Sequence, residues 1–127
     1  MKKVVESTKA PEALGPYSQA IEFNNFLFIS GQLPIDRETN QIPDQIDEQT
    51  TNVLNNIDHI LNEAGYGFVN VLKTTCYLSD MKNFKKMNDV YSKYFADSPP
   101  ARATVAVKSL PLDVLVEIEC IAAKDKS

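Results

Sequence analysis

Histidine occurs once in this sequence, at position 59, and cysteine twice, at positions 76 and 120. One imidazole and two distant thiols supply neither a cluster of metal ligands nor a Ser-His-Asp or Cys-His constellation, so no metal, no cofactor and no triad chemistry is expected. The four glycines, Gly15, Gly31, Gly65 and Gly67, match no common phosphate-loop spacing. No apolar run approaches the roughly 20 residues of a membrane helix. The stretch Met1 to Ser7 starts with two lysines but lacks a signal-peptide core, and it reads as a short edge strand. A soluble, cytoplasmic protein is the expectation. Blocks of like charge are missing as well. Thirteen basic and 17 acidic residues are scattered along the chain and give a net charge of −4, which removes the electrostatic basis for gripping a nucleic acid.

What is present suits one domain over residues 1–127, since 43% hydrophobic and 24% charged residues are ordinary for a globular chain of this length. Ser18 to Phe23 and Phe26 to Leu33 read as strands joined by a tight Asn24-Asn25 turn. Phe26-Leu27-Phe28-Ile29 is apolar on both faces and asks for cover above and below the sheet. Pro34 to Pro43 is a polar connection. From Ile46 to Ala64 the apolar residues Ile46, Val53, Leu54, Ile57, Ile60, Leu61 and Ala64 recur at three- and four-residue steps, which makes a long amphipathic helix. Asp44 or Asp47 is expected to cap its start and Gly65 its end. His59 is expected on the solvated face with Asn52, Asn56 and Glu63.

Val69 to Leu78 alternates as a strand, with Val71, Lys73, Thr75 and Tyr77 on one face and Leu72, Thr74, Cys76 and Leu78 on the other. A second helix starts near Asp80, buries Phe84, Met87, Tyr91 and Tyr94, and is stopped by Pro99. Arg102 to Val107 and Val114 to Ala123 complete the strands. Cys76 and Cys120, inside apolar strand patterns, are expected as buried reduced thiols. The order ββ(β)αβαββ describes an α+β domain with two helices on one face of a single mixed sheet. Two helices cover one face only, so apolar residues on the other predict burial against another subunit.

Arg102 follows Pro99-Pro100, which stiffens the chain leading into its strand. A planar, always charged fork of donors suits a carboxylate better than lysine does. The two readings are an anchor for a small carboxylate substrate and a surface arginine paired with one of the chain's acids.

The motif Pro100-Ala101-Arg102-x-x-Val105, with Leu110-Pro111 and Val116-Glu117-Ile118-Glu119 after it, resembles the C-terminal signature of the RidA (reactive intermediate deaminase) family. Gly15-Pro16-Tyr17-Ser18-Gln19-Ala20, Ile29-Ser30-Gly31-Gln32-Leu33-Pro34 and Asn88 ahead of Tyr91 match the same family in order, so the resemblance spans nearly the whole chain. It implies a homotrimer of chorismate-mutase-like fold with sites in clefts between subunits. The implied activity is cofactor-free hydrolysis of 2-iminobutanoate or 2-iminopropanoate, reactive products of pyridoxal-phosphate enzymes, to 2-keto acids and ammonia. Arg102 would then hold the substrate carboxylate, and Glu117 would orient or deprotonate the water. On spacing alone Glu119 is equally eligible. Tyr17 would wall the cleft, Ser30 and Gly31 would accept from the iminium N–H, Asn88 would join them, and the backbone N–H of Thr104 would meet water or carboxylate. Many relatives have cysteine where Thr104 stands, so a thiol role at that position does not transfer. The alternatives are a keto-acid or amino-acid-binding regulatory module and, less favoured by the acidic charge, a ribonuclease or translation inhibitor.

Overall fold

Every second residue of β6 (Val116–Ala123) is buried, as are Leu27 and Ile29 in the first part of β3 (Phe26–Gln32), the period that an extended chain imposes on a sheet with one covered face. In the computed structural model, which describes residues 1–126, these strands are antiparallel neighbours at the centre of one six-stranded sheet. On one side of them lie β2 (Ala20–Phe23) and the edge strand β1 (Lys3–Val5), and on the other β4 (Val71–Leu78) and the edge strand β5 (Ala101–Ala106). Among the described residues the β4–β5 pair alone is parallel. The β2–β3 turn is made by Asn24 and Asn25, both at positive φ, 50° and 65°, the requirement of a tight hairpin of this twist.

The helices α1 (Ile46–Glu63) and α2 (Phe84–Tyr94) pack on the same face. Val53, Leu54, Ile57, Ile60 and Leu61 of α1 and Met87 of α2 are sealed from solvent against Leu27, Leu78, Val116 and Ile118 of the sheet. A single truncation such as Leu54→Ala removes methyl groups from this close-packed layer, a change that costs about 2–5 kcal/mol. Gly65, at φ 82°, follows the last turn of α1 as expected of a residue that tolerates the left-handed region.

Several local expectations are corrected. The N-cap of α1 is Gln45 and carries no side-chain cap, whereas Asp47 accepts from Glu48 N one residue inside the helix. Asn56 is buried, because the 33–35 segment crosses that side of α1 and its carbonyls take hydrogen bonds from Asn56 and Asn52. A register shift between Val71 and Lys73 turns Val71 inward and leaves Leu72 exposed, reversing the faces assigned to those two residues. α2 ends at Tyr94, well before Pro99. β2 and β6 each begin two residues later than the apolar pattern suggests, and a 3-10 turn at Pro111–Asp113 precedes β6.

The opposite face of the sheet is bare. Across β1 to β3 the register sets Val4, Ile21 and Phe28 in one row and Phe23 beside Phe26, and the four larger exposures among them lie between 43% and 53%. Phe26 and Phe28 stack on each other at 6.5 Å. Among the described residues no helix is long and apolar enough to cross a membrane.

Candidate functional site

β5 pairs only with β4, and Arg102 stands opposite Thr74, whose side chain is in the core on the helix side. Arg102 therefore leaves the sheet edge toward α2. There the i, i+4, i+7 positions Phe84, Asn88 and Tyr91 share one face of the helix. The guanidinium lies 4.7 Å from the centre of the Tyr91 ring and 5.6 Å from that of Phe84, and its Nη1 donates to Asn88 Oδ1 at 2.7 Å. Its partners are two aromatic rings and a neutral amide. The ion pairs among the described residues join Arg37 to Glu12, Lys82 to Asp80 and Lys85 to Asp89, and none involves Arg102. The acid-paired surface arginine is thus not what the structure shows.

Two residues further along β5 and on the same face, Thr104 has a buried hydroxyl without a hydrogen-bond partner among the described residues. Opposite it, the Cys76 thiol is pushed up to about 11, chiefly by burial, with the Arg102 charge acting in the lowering direction. Burial and the Glu119 charge push Cys120 up to about 12. Thiols so protonated at neutral pH are poor nucleophiles. Ellman's reagent at pH 8 is expected to leave both unreacted in the folded protein and to titrate two in guanidinium chloride. A rapid equivalent in the native state would contradict their placement.

A second group of residues assembles where β3 meets β6. The pairing shifts between Ile29 and Gln32, so that Ser30 and Gly31 together stand opposite Glu119, a bulge that takes both out of the regular ladder. Gly31 is required here for space. A Cβ on it would collide with the Glu117 carboxylate, which lies directly against it. The Ser30 hydroxyl donates to the Ser18 carbonyl at 2.7 Å, so its oxygen keeps its acceptor capacity. Tyr17 is held by its N–H to the Gly15 carbonyl at 2.9 Å and by Leu14 N–H donating to its hydroxyl at 3.1 Å. It lines a small cavity of about 20 Å³ together with Gly31.

Glu117 and Glu119 both face away from the helices, since Val116, Ile118 and Cys120 between and beside them are buried. Their surroundings differ. Glu119 accepts from the Tyr77 hydroxyl at 3.2 Å, whereas Glu117 has no hydrogen-bond donor among the described residues. Burial, and after it the negative charge of Glu119, hold the Glu117 carboxyl above its ordinary range. The structure thus separates two carboxylates that spacing could not.

The candidate residues therefore fall into two clusters: Tyr17, Ser30, Gly31 and Glu117 on the bare face, and Asn88, Arg102 and Thr104 on the helix side. Within one chain they do not converge. The sequence reading treated Phe84 and Tyr91 only as core residues, although their spacing with Asn88 was a usable signal that one helix face serves Arg102. A cavity of about 460 Å³ belongs to neither cluster; it lies beside His59, and its Arg37, Asn52 and Asn56 side chains are already bonded to Thr8, Glu12 and the 33–35 segment.

The family model described as Endoribonuclease L-PSP matches residues 7–124. A RutC family protein of Pyrococcus horikoshii is 54% identical over 98% of this chain and 100% of its own. Reactive Intermediate Deaminase A, chloroplastic, of Arabidopsis thaliana is 48% identical over 95% of this chain and 65% of its own. The crystal structure of E. coli TdcF with bound serine superimposes with a TM-score of 0.94 at 35% identity, covering 97% of this chain and 99% of the other. A shared α+β sheet with two helices and near full-length identity at this level leave one conclusion: the chain belongs to the Endoribonuclease L-PSP family, together with RutC family proteins and Reactive Intermediate Deaminase A.

Proposed function

We propose that this protein is a cofactor-free imine deaminase that hydrolyses 2-iminobutanoate and 2-iminopropanoate to 2-keto acids and ammonia. It would act in the cytoplasm as a homotrimer of chorismate-mutase-like, single-domain subunits. The observation that carries the reading is the Arg102 guanidinium, held by uncharged partners with its positive charge unneutralised. A 2-imino acid brings the missing carboxylate. It also brings an electrophilic C=N carbon, made more reactive when its nitrogen is protonated.

Water adds to that carbon as Glu117 takes its proton, giving a carbinolamine. Return of the proton to nitrogen then expels ammonia while the freed Glu117 carboxylate takes the hydroxyl proton, which leaves the keto acid. A carboxyl raised above its usual range is the better shuttle for both transfers at neutral pH. Ser30 Oγ and the Gly31 carbonyl would accept from the iminium N–H, Tyr17 would wall the site, and the Thr104 backbone N–H would assist at the carboxylate. Positioning and proton transfer, about 10²- to 10⁴-fold for the latter, suffice for a labile substrate without a metal.

Opposite faces of one sheet cannot offer Arg102 and Glu117 to one small molecule. The composite site then needs the helix-side cluster of one subunit against the bare-face cluster of the next, and the bare face with its phenylalanines supplies the apolar interface for such a contact. Burying the remaining exposed half of each of these side chains contributes about 1 kcal/mol. Several of them together oppose an association cost of about 4–15 kcal/mol. Sedimentation equilibrium at micromolar protein is expected to give three times 14.2 kDa. A monomer would remove the composite site.

Threonine dehydratase producing 2-iminobutanoate in situ provides the activity test. The protein is expected to accelerate release of 2-oxobutanoate beyond the spontaneous rate. The serine bound to E. coli TdcF favours a second reading, a module that binds a 2-amino or 2-keto acid without turning it over. That reading predicts binding with an unchanged release rate. RNA cleavage is poorly served by a net charge of −4 and a single histidine that belongs to neither cluster.

A further inference from the structure

We propose that Tyr91 is a positioning residue for Arg102: its immobilised ring sets the plane of the guanidinium, so that the exposed edge is presented ready-made to a flat carboxylate. The proposal rests on reading Arg102 as the carboxylate anchor. Tyr91 is only 6% exposed, and its hydroxyl shares a 2.7 Å hydrogen bond with the buried Thr74 hydroxyl. Its ring packs on Phe95 at 4.6 Å, and Phe95 stands edge-on to Phe68 at 5.1 Å. Burial, the hydroxyl's hydrogen bond and the packed ring together restrict this side chain.

The contacts also close on themselves. Thr74, which fixes the Tyr91 hydroxyl, is the β4 residue directly opposite Arg102 on β5. The strand pair that carries the guanidinium therefore carries the group that locks the ring beneath it. Asn88, one helical turn before Tyr91, takes one Nη1–H and fixes rotation within the plane. A long, exposed arginine would otherwise sample many rotamers, and ordering it on binding would weaken affinity. The ring and the amide impose that order beforehand. They do so without a counter-ion, so the charge stays available to the ligand.

The test reads Arg102 directly. In the ligand-free wild-type protein, NMR is expected to show the Arg102 Nε–H as a resolved, ring-current-shifted signal with an order parameter near that of the backbone. In Tyr91→Leu the signal should become averaged. The dissociation constant for 2-oxobutanoate should rise about 10-fold, with KM for the imino acid rising in step and kcat little changed. Tyr91→Phe keeps the ring and should weaken binding by only about 2- to 3-fold. A mobile, unshifted Arg102 signal in the wild type would overturn the proposal, as would a folded Tyr91→Leu protein binding 2-oxobutanoate as tightly as wild type. If Tyr91→Leu does not fold, the wild-type spectrum decides alone. Failure of the deaminase reading would look different: an ordered Arg102 in a protein that does not hydrolyse the imine.

Discussion

Replacing Arg102 with alanine is expected to lower kcat/KM for 2-iminobutanoate by at least about 10²-fold, roughly 2.7 kcal/mol of transition-state binding, while the melting temperature and oligomeric state stay nearly constant. The fold should tolerate the loss because Arg102 is exposed on an edge strand, forms no ion pair among the described residues, and makes one hydrogen bond to the neutral amide of Asn88. The core beneath it is formed by Thr74, Cys76 and Tyr91, whose contacts with one another do not depend on the guanidinium. Arg102→Lys should recover little. An ammonium keeps the charge but loses the guanidinium's contact over the Tyr91 ring and cannot make two parallel hydrogen bonds to a carboxylate. Steady-state kinetics beside thermal melts would check this, and unfolding of the alanine variant would instead make Arg102 a structural residue.

Glu117→Gln is expected to lower turnover by about 10²- to 10⁴-fold while leaving 2-oxobutanoate binding within a few-fold of wild type, since it removes proton transfer and keeps the anchor. Its effect on stability should have the opposite sign. The folded protein raises the Glu117 pKa, through burial and then the Glu119 charge, so it favours the protonated carboxyl. That contribution is fully present below the unfolded-state pKa, about 4.3, and is lost as pH rises through the higher folded value. Charging Glu117 as the pH rises toward 7 therefore costs the folded protein stability. Glu117→Gln should melt above wild type at pH 7, and the difference should vanish near pH 4. A lower melting temperature at pH 7 would mean that the carboxylate serves the fold.

The helices and central strands were legible in the sequence because each buries one face, and burial writes a 3.6- or 2-residue period. Val53, Leu54, Ile57 and Ile60 could hardly be read otherwise. What escaped was set by contacts distant in the chain. Asn56 looks solvated by period alone, yet a segment more than 20 residues away crosses it. The Val71–Lys73 bulge that exchanges two side chains between faces leaves no apolar signature. Within the candidate site, the resemblance supplied the residues but not their arrangement. That Asn88 reaches Arg102 depends on how α2 lies over β5, and that Glu117 rather than Glu119 lacks a donor depends on Tyr77 across the sheet. Opposite faces for Arg102 and Glu117 followed only once the register of β4 with both β5 and β6 was known.

The central claim, a site shared between subunits with Arg102 from one and Glu117 from the next, can be tested by mixing two inactive variants. Arg102→Ala and Glu117→Gln proteins, unfolded together in equal amounts and refolded, should reassort into trimers. Random assortment gives an intact pair at about one interface in four, so imine hydrolysis should recover to about a quarter of the wild-type rate. Each variant refolded alone should stay inactive. Recovery near that level would support a shared site, whereas a refolded trimeric mixture no more active than its parents would contradict it.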